Sequence, residues 1–102
     1  MFMINVLLSG RLKLDGFGKG RPIAQDGTFP LTLEEGSTVR QAMDGMRVPP
    51  SRVAMTMLNG RQCAVDTRLG SGDRVILIPE DVAALWRALG RQNLEMGIGF
   101  DS

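Results

Sequence analysis

Residues 33–79 read LEEGSTVRQAMDGMRVPPSRVAMTMLNGRQCAVDTRLGSGDRVILIP, and this stretch decides the fold. Thr38 is a helix N-cap, and Gln41, three residues on, completes a capping box. Val39, Ala42, Met43 and Met46 then recur at helical spacing as one apolar stripe. Gly45 weakens the last turn, and Pro49-Pro50 ends the helix. Val53–Leu58 is a strand with Val53, Met55 and Met57 on one face. Asn59-Gly60 follows, a pair that accepts the positive φ of a type I′ turn, so Arg61–Val65 returns as the second arm of a hairpin. Asp66–Leu69 turns the chain, with Leu69 plugging the core. After Gly70-Ser71-Gly72-Asp73 comes Val75–Ile78, a continuous apolar run that reads as a central strand buried on both faces.

Upstream, Met3–Leu8 is a short apolar run bounded by Ser9-Gly10, again a buried strand. Arg11–Gly27 has no helical period and carries repeated glycines. It reads as a long exposed connection of the kind that often carries function, with Leu12–Leu14 a candidate irregular strand. Thr28–Leu33 alternates Phe29, Leu31 and Leu33 with polar residues and Pro30, a half-buried strand at an edge or start. Downstream, Asp81–Leu89 is a second amphipathic helix. Val82, Leu85, Trp86 and Leu89 fall at i, i+3, i+4 and i+7, with Glu80 and Asp81 at its positive end, Arg87 and Arg91 near its negative end, and Gly90 as the stop. Arg91–Ser102 reads as a short extended segment or a frayed terminus.

The order is strand, long connection, strand, helix, strand, hairpin, strand, helix. That is an α+β roll: a mixed sheet of four to five strands covered by one helix, with a C-terminal helical extension. The first and last strands pair in parallel at its centre. Residues 1–79 form the roll, and 80–102 the helix and tail, packed on the roll or on a partner.

Several of these stretches carry a resemblance. Leu33-Glu34-Glu35-Gly36-Ser37-Thr38-Val39, Val48-Pro49-Pro50-Ser51-Arg52-Val53, Leu58-Asn59-Gly60-Arg61, Asp66 to Leu69 and Gly72-Asp73-Arg74-Val75 are similar, in this order, to the ubiquitin-like β-grasp sulfur carriers. These are the small subunit of molybdopterin synthase and the thiamine-biosynthesis sulfur carrier. The match runs from Met3 to Pro79. It implies a β-grasp fold and a protein partner, either an adenylating enzyme or a synthase large subunit. The carriers end shortly after their last strand in a flexible Gly-Gly, whose lack of Cβ atoms suits a narrow active-site channel. Here Pro79 is followed by Glu80 and a helix, and no Gly-Gly pair occurs. Gly97-Ile98-Gly99 is the nearest imitation, so carrier chemistry requires trimming to Gly99. The expectation is a non-enzymatic interaction or accessory protein of this type, and the alternative is a processed sulfur carrier.

Composition narrows the rest. The chain has 102 residues, 43% hydrophobic and 23% charged, with a net charge of +1. That is one ordinary globular domain, with no strong field to attract nucleic acid. No apolar run approaches a membrane span. The single Cys63 excludes an internal disulfide and agrees with a cytoplasmic setting. No histidine is present, so the commonest metal ligand and general base are missing, and no cofactor or catalytic set is expected. Cys63, with no base to activate it, reads as a packed thiol. Gly16-Phe17-Gly18-Lys19-Gly20-Arg21 lacks phosphate-loop spacing and reads as a flexible or partner-contacting loop. Asp66 and Asp73 are turn residues. Met43, Met46, Met55 and Met57 read as core filler.

Two features remain as candidate partner contacts. Arg61, Arg68 and Arg74 form a candidate patch around the hairpin, solvated or facing a carboxylate-rich partner. The stripe Val82, Leu85, Trp86 and Leu89 ordinarily folds back on its own sheet, over the face the first helix leaves open. Its other use is contact with a partner or with a second copy of the chain, since a tryptophan set among aliphatics resembles an interface hot spot.

Overall fold

The computed structural model describes residues 1–17 and 20–95. Five strands, β1 (Phe2–Leu8), β2 (Phe29–Leu33), β3 (Met55–Leu58), β4 (Arg61–Cys63) and β5 (Arg74–Ile78), form one sheet in the order β2-β1-β5-β3-β4. β1 and β5 are parallel at its centre, and the other pairs are antiparallel. Three helices accompany it: α1 (Gly10–Leu14), α2 (Val39–Gly45) and α3 (Glu80–Glu95). This is the β-grasp roll the sequence led to, with the helical extension behind β5.

Local chemistry explains the elements. The Thr38 side chain accepts from the Gln41 backbone, and Gln41 Oε1 accepts from the Thr38 N–H at 2.8 Å, closing the capping box. Val39, Ala42 and Met43 are fully buried, and Met46 nearly so. α2 ends at Gly45 before either proline acts, with Arg47 left-handed at φ 58° and Pro50 opening a 3-10 turn over Pro50–Arg52. Asn59 and Gly60 take φ values of 50° and 87°, the hairpin turn their identities require. Asp73 accepts from Gly70 N at 2.7 Å and Asn59 Nδ2 at 3.0 Å, while Asn59 Oδ1 accepts from Arg74 N at 2.8 Å. Leu69 plugs the core at 7% exposure. Asp66 lies in the expected turn, and its side chain also pairs with Arg40 of α2 at 3.4 Å.

Strand alternation sorts the sheet into two faces. The register places Phe29, Val6, Val75, Leu58 and Arg61 in one row on the α2 side. The next row, Leu7, Ile76, Met57 and Gln62, lies on the opposite side. That second face corrects three expectations. β1 is not buried on both sides: Met3 is 53% exposed, Asn5 is exposed and Leu7 is half-buried. Ile76 of β5 is half-buried as well. Met43 and Met46 belong to the core, but Met55 and Met57 sit half-buried on the face away from α2. Val53 precedes β3 rather than joining it, and packs against the core from the end of the 3-10 turn.

The connection after β1 is not the irregular strand expected at Leu12–Leu14. It is α1, whose Leu12 is fully buried in the core. Five residues hold no helical period long enough to register in a sequence window. Asp15, the C-cap residue of α1, pairs with Arg11 at 3.6 Å and with Arg52 of the 3-10 turn. The Arg52 guanidinium lies 5.4 Å from the Phe17 ring centroid. Gly18 and Lys19 of the glycine-rich segment lie outside the described residues.

Candidate partner-binding surface

α3 leaves the sheet within two residues of β5: Ile78 ends the strand, Pro79 intervenes, and the helix opens at Glu80. Ala83 N donates to Pro79 O at 3.0 Å, so the first turn is fastened to the strand's exit. Glu80 and Asp81 stand at the positive end of the helix dipole. Ala83 is fully buried, and so, to 1% exposure, is Ile78; both lie outside the main core cluster. Val82 is half-buried against Gly10 of α1, where an added Cβ would lie 2.5 Å from Val82 Cγ2. Gly10 also has φ 53°, a conformation that suits glycine, so close approach and backbone shape both select it. Thus the side turned to the protein is the Val82–Ala83 edge of the first turn.

The remainder of the stripe does not fold back on the sheet. Leu85 is 58%, Trp86 49% and Leu89 47% exposed. The more ordinary fate of an amphipathic helix is therefore not the one taken here. Gly90 does not stop the helix either, which continues to Glu95. A single glycine weakens a helix by about 1 kcal/mol without ending it. Arg87, expected near the negative end, lies mid-helix and bonds Glu80 Oε1 at 2.7 Å, two turns back on the same helix. Gly99 lies outside the described residues.

The arginines do not gather into one patch. Arg61 stands on edge strand β4 in the row of Leu58 and Val75, on the α2 side. Arg74 pairs with Asn5 in the neighbouring row, on the other face. Arg68 bridges to Thr38 at the start of α2. All three are exposed, but strand alternation sets Arg61 and Arg74 on opposite sides of the sheet. Cys63 is half-buried, 3.5 Å from Thr56 Oγ1, and packs against the core cluster.

The sheet carries a second exposed apolar feature, apart from α3. The row Leu7, Ile76 and Met57, with Met55 and Met3, forms an apolar strip on the sheet face opposite α2, all of it at least partly open to water. Its signal was the Met3, Asn5, Leu7 alternation, which a run that is apolar overall conceals. Among the described residues, no helix is long and apolar enough to cross a membrane.

No family model matches the chain, and no curated protein does. Solved structures do. One is small archaeal modifier protein 1 of H. volcanii, 19% identical with a TM-score of 0.59, the likeness covering 78% of this chain and 98% of that one. Another is a protein described as a molybdopterin converting factor, subunit 1, from Pyrococcus furiosus, 18% identical with a TM-score of 0.57 and the same coverage. Both are thus matched nearly from end to end. At these identities the likeness is one of fold, and the chain has the β-grasp fold of these two proteins.

Proposed function

We propose that the chain is a non-catalytic β-grasp protein that works by docking to a protein partner. In this reading residues 1–79 form the β-grasp domain, and residues 80–102 form an extension whose Val82, Leu85, Trp86 and Leu89 make the contact. One observation carries it: α3 starts directly behind β5 and holds Leu85, Trp86 and Leu89 in water. An exposed aromatic flanked by leucines is the composition of an interface anchor. The resemblance to sulfur carriers favours an adenylating enzyme or a synthase large subunit as partner; a second copy joined through α3 is the other candidate. Arg61, Arg68 and Arg74 enter this reading as separate rim charges rather than as one site. The single cysteine suits a cytoplasmic setting.

Trp86→Asp tests the reading. Loss of a hot-spot tryptophan costs about 2 kcal/mol or more of binding, roughly thirtyfold in affinity. The complex recovered from native cells should be lost, or a dimer should fall to monomer in size-exclusion chromatography, with thermal stability unchanged. A fall in stability with assembly intact would contradict it.

The second reading is a sulfur carrier in molybdopterin- or thiamine-type biosynthesis, trimmed to Gly99. It is supported by fold neighbours that include a protein described as a molybdopterin converting factor subunit. Intact-mass measurement on protein from its native cell separates the two. A species ending at Gly99, heavier by one sulfur-for-oxygen exchange, establishes carrier chemistry; an intact chain alone removes it.

A further inference from the structure

A groove of about 370 Å³ lies beside α1, away from the contact residues of α3. Leu8 and Phe29, at the ends of β1 and β2, are buried within its lining. Its lips are Leu14, the last residue of α1, and Ile23, at 79% and 62% exposure. Lys13 and Arg21 also line it. Two large aliphatic side chains of its lining stand in water, Leu14 next to Lys13 in sequence and Ile23 two residues from Arg21.

Both lips are held in place. The α1 lip is fixed by buried Leu12 and by Asp15, which pairs with Arg11 and Arg52. The other lip is fixed by a turn in which Ala24 N donates to Thr28 O at 2.7 Å and Gly27 N to Ala24 O at 3.0 Å. Thr28 N and Oγ1 both donate to Asp26 Oδ1, at 3.1 and 2.6 Å. Lining residues held by such contacts lose less freedom when a ligand settles between them.

Charge decides the occupant. The lining holds two cations, Lys13 and Arg21, and no carboxylate. Among the described residues, Lys13 and Arg21 are in no ion pair. Arg21 lies instead over the Phe29 ring, 5.5 Å from its centroid, which ties the guanidinium to the groove. An apolar cleft with two unneutralised cations suits a ligand with an apolar body and an anionic end. The groove's volume is of the order that small-molecule sites have. We propose that this groove binds a small carboxylate with an aliphatic tail.

The test titrates the full chain with octanoate, octanol and octylamine, read by amide and methyl NMR. Octanoate should give saturable shifts at Leu8, Leu14 and Ile23. Octanol should bind about tenfold more weakly, and octylamine should leave those residues unmoved. The double variant Lys13→Gln, Arg21→Gln should bring octanoate down to the octanol level while the rest of the spectrum stays unchanged. Equal responses to all three amphiphiles, or no saturable shift at these residues, would overturn the proposal. The comparison of headgroups in the unaltered protein stands whether or not the variant folds.

Discussion

α2 and α3 carry apolar stripes of the same period and meet opposite fates. Val39, Ala42 and Met43 of α2 are wholly buried, whereas Leu85, Trp86 and Leu89 of α3 are about half exposed. The difference is one of attachment. α2 lies between β2 and β3 and is tied down at its start, where Val39 N and Arg40 N donate to Thr67 O and Val65 O, at 3.1 and 2.9 Å. α3 follows the last strand and is packed to the rest of the described protein through its first turn, at Val82 and Ala83 against the exit of β5 and Gly10. Periodicity states that a helix has an apolar side. It does not state what that side is to meet.

The comparison can be broken most forcefully at Met43. Met43→Ala should lose about 2–5 kcal/mol, since it opens a cavity under α2. A urea midpoint that scarcely moves would mean that α2 is no better anchored than α3. Gly10→Ala attacks the opposite anchor. The new Cβ collides with Val82 and must sit at φ 53°, so a loss of about 1–2 kcal/mol is expected. Amide exchange should quicken in α3 and not in α2; equal exchange in the two helices would show that Gly10 is not the anchor. Thr38→Ala removes the capping box and should cost about 1 kcal/mol. Here the faster exchange belongs to α2.

Asp15 adds a pH arm. Its bond to Arg52, with the nearby Arg11 charge, holds the carboxyl below its ordinary 3.8, against a smaller opposing desolvation. A carboxyl with a lowered folded value stabilises the protein above its unfolded value and loses that contribution as pH falls through the folded one. The α1 support of α3 should therefore weaken only below about pH 4. Asp15→Asn should remove that acid sensitivity from α1; an acid limb left unchanged would exclude Asp15 as its source. The smallest effect belongs to Trp86→Ala, which should change folding stability by no more than about 0.5 kcal/mol. A larger loss would mean that α3 packs on its own sheet.

What was legible follows from the same physics. The hairpin, the capping box and the central β1–β5 pairing each have a local cause in Asn59-Gly60, Thr38 with Gln41, and two short apolar runs, and each stands where the sequence placed it. α1 escaped because five residues show no period and the burial of Leu12 depends on distant strands. The open face of β1 escaped because Met3 and Leu7 are apolar whether or not anything covers them. The arginine patch dissolved because strand parity is set by register, and register is a property of paired strands rather than of spacing. For α3, the stripe and its dipole charges were readable, but its length and exposure were not, because Gly90 alone does not end a helix that otherwise propagates.

Trp86 is the only tryptophan in the chain, so its fluorescence reports on the decisive surface without labelling. In the dilute, isolated protein, emission should lie at the long-wavelength, water-exposed end and be readily quenched by acrylamide, shifting to shorter wavelength and becoming protected only when a partner or a second copy binds. A short-wavelength, quencher-resistant tryptophan in the isolated monomer would contradict a free α3 face and return the helix to its own sheet.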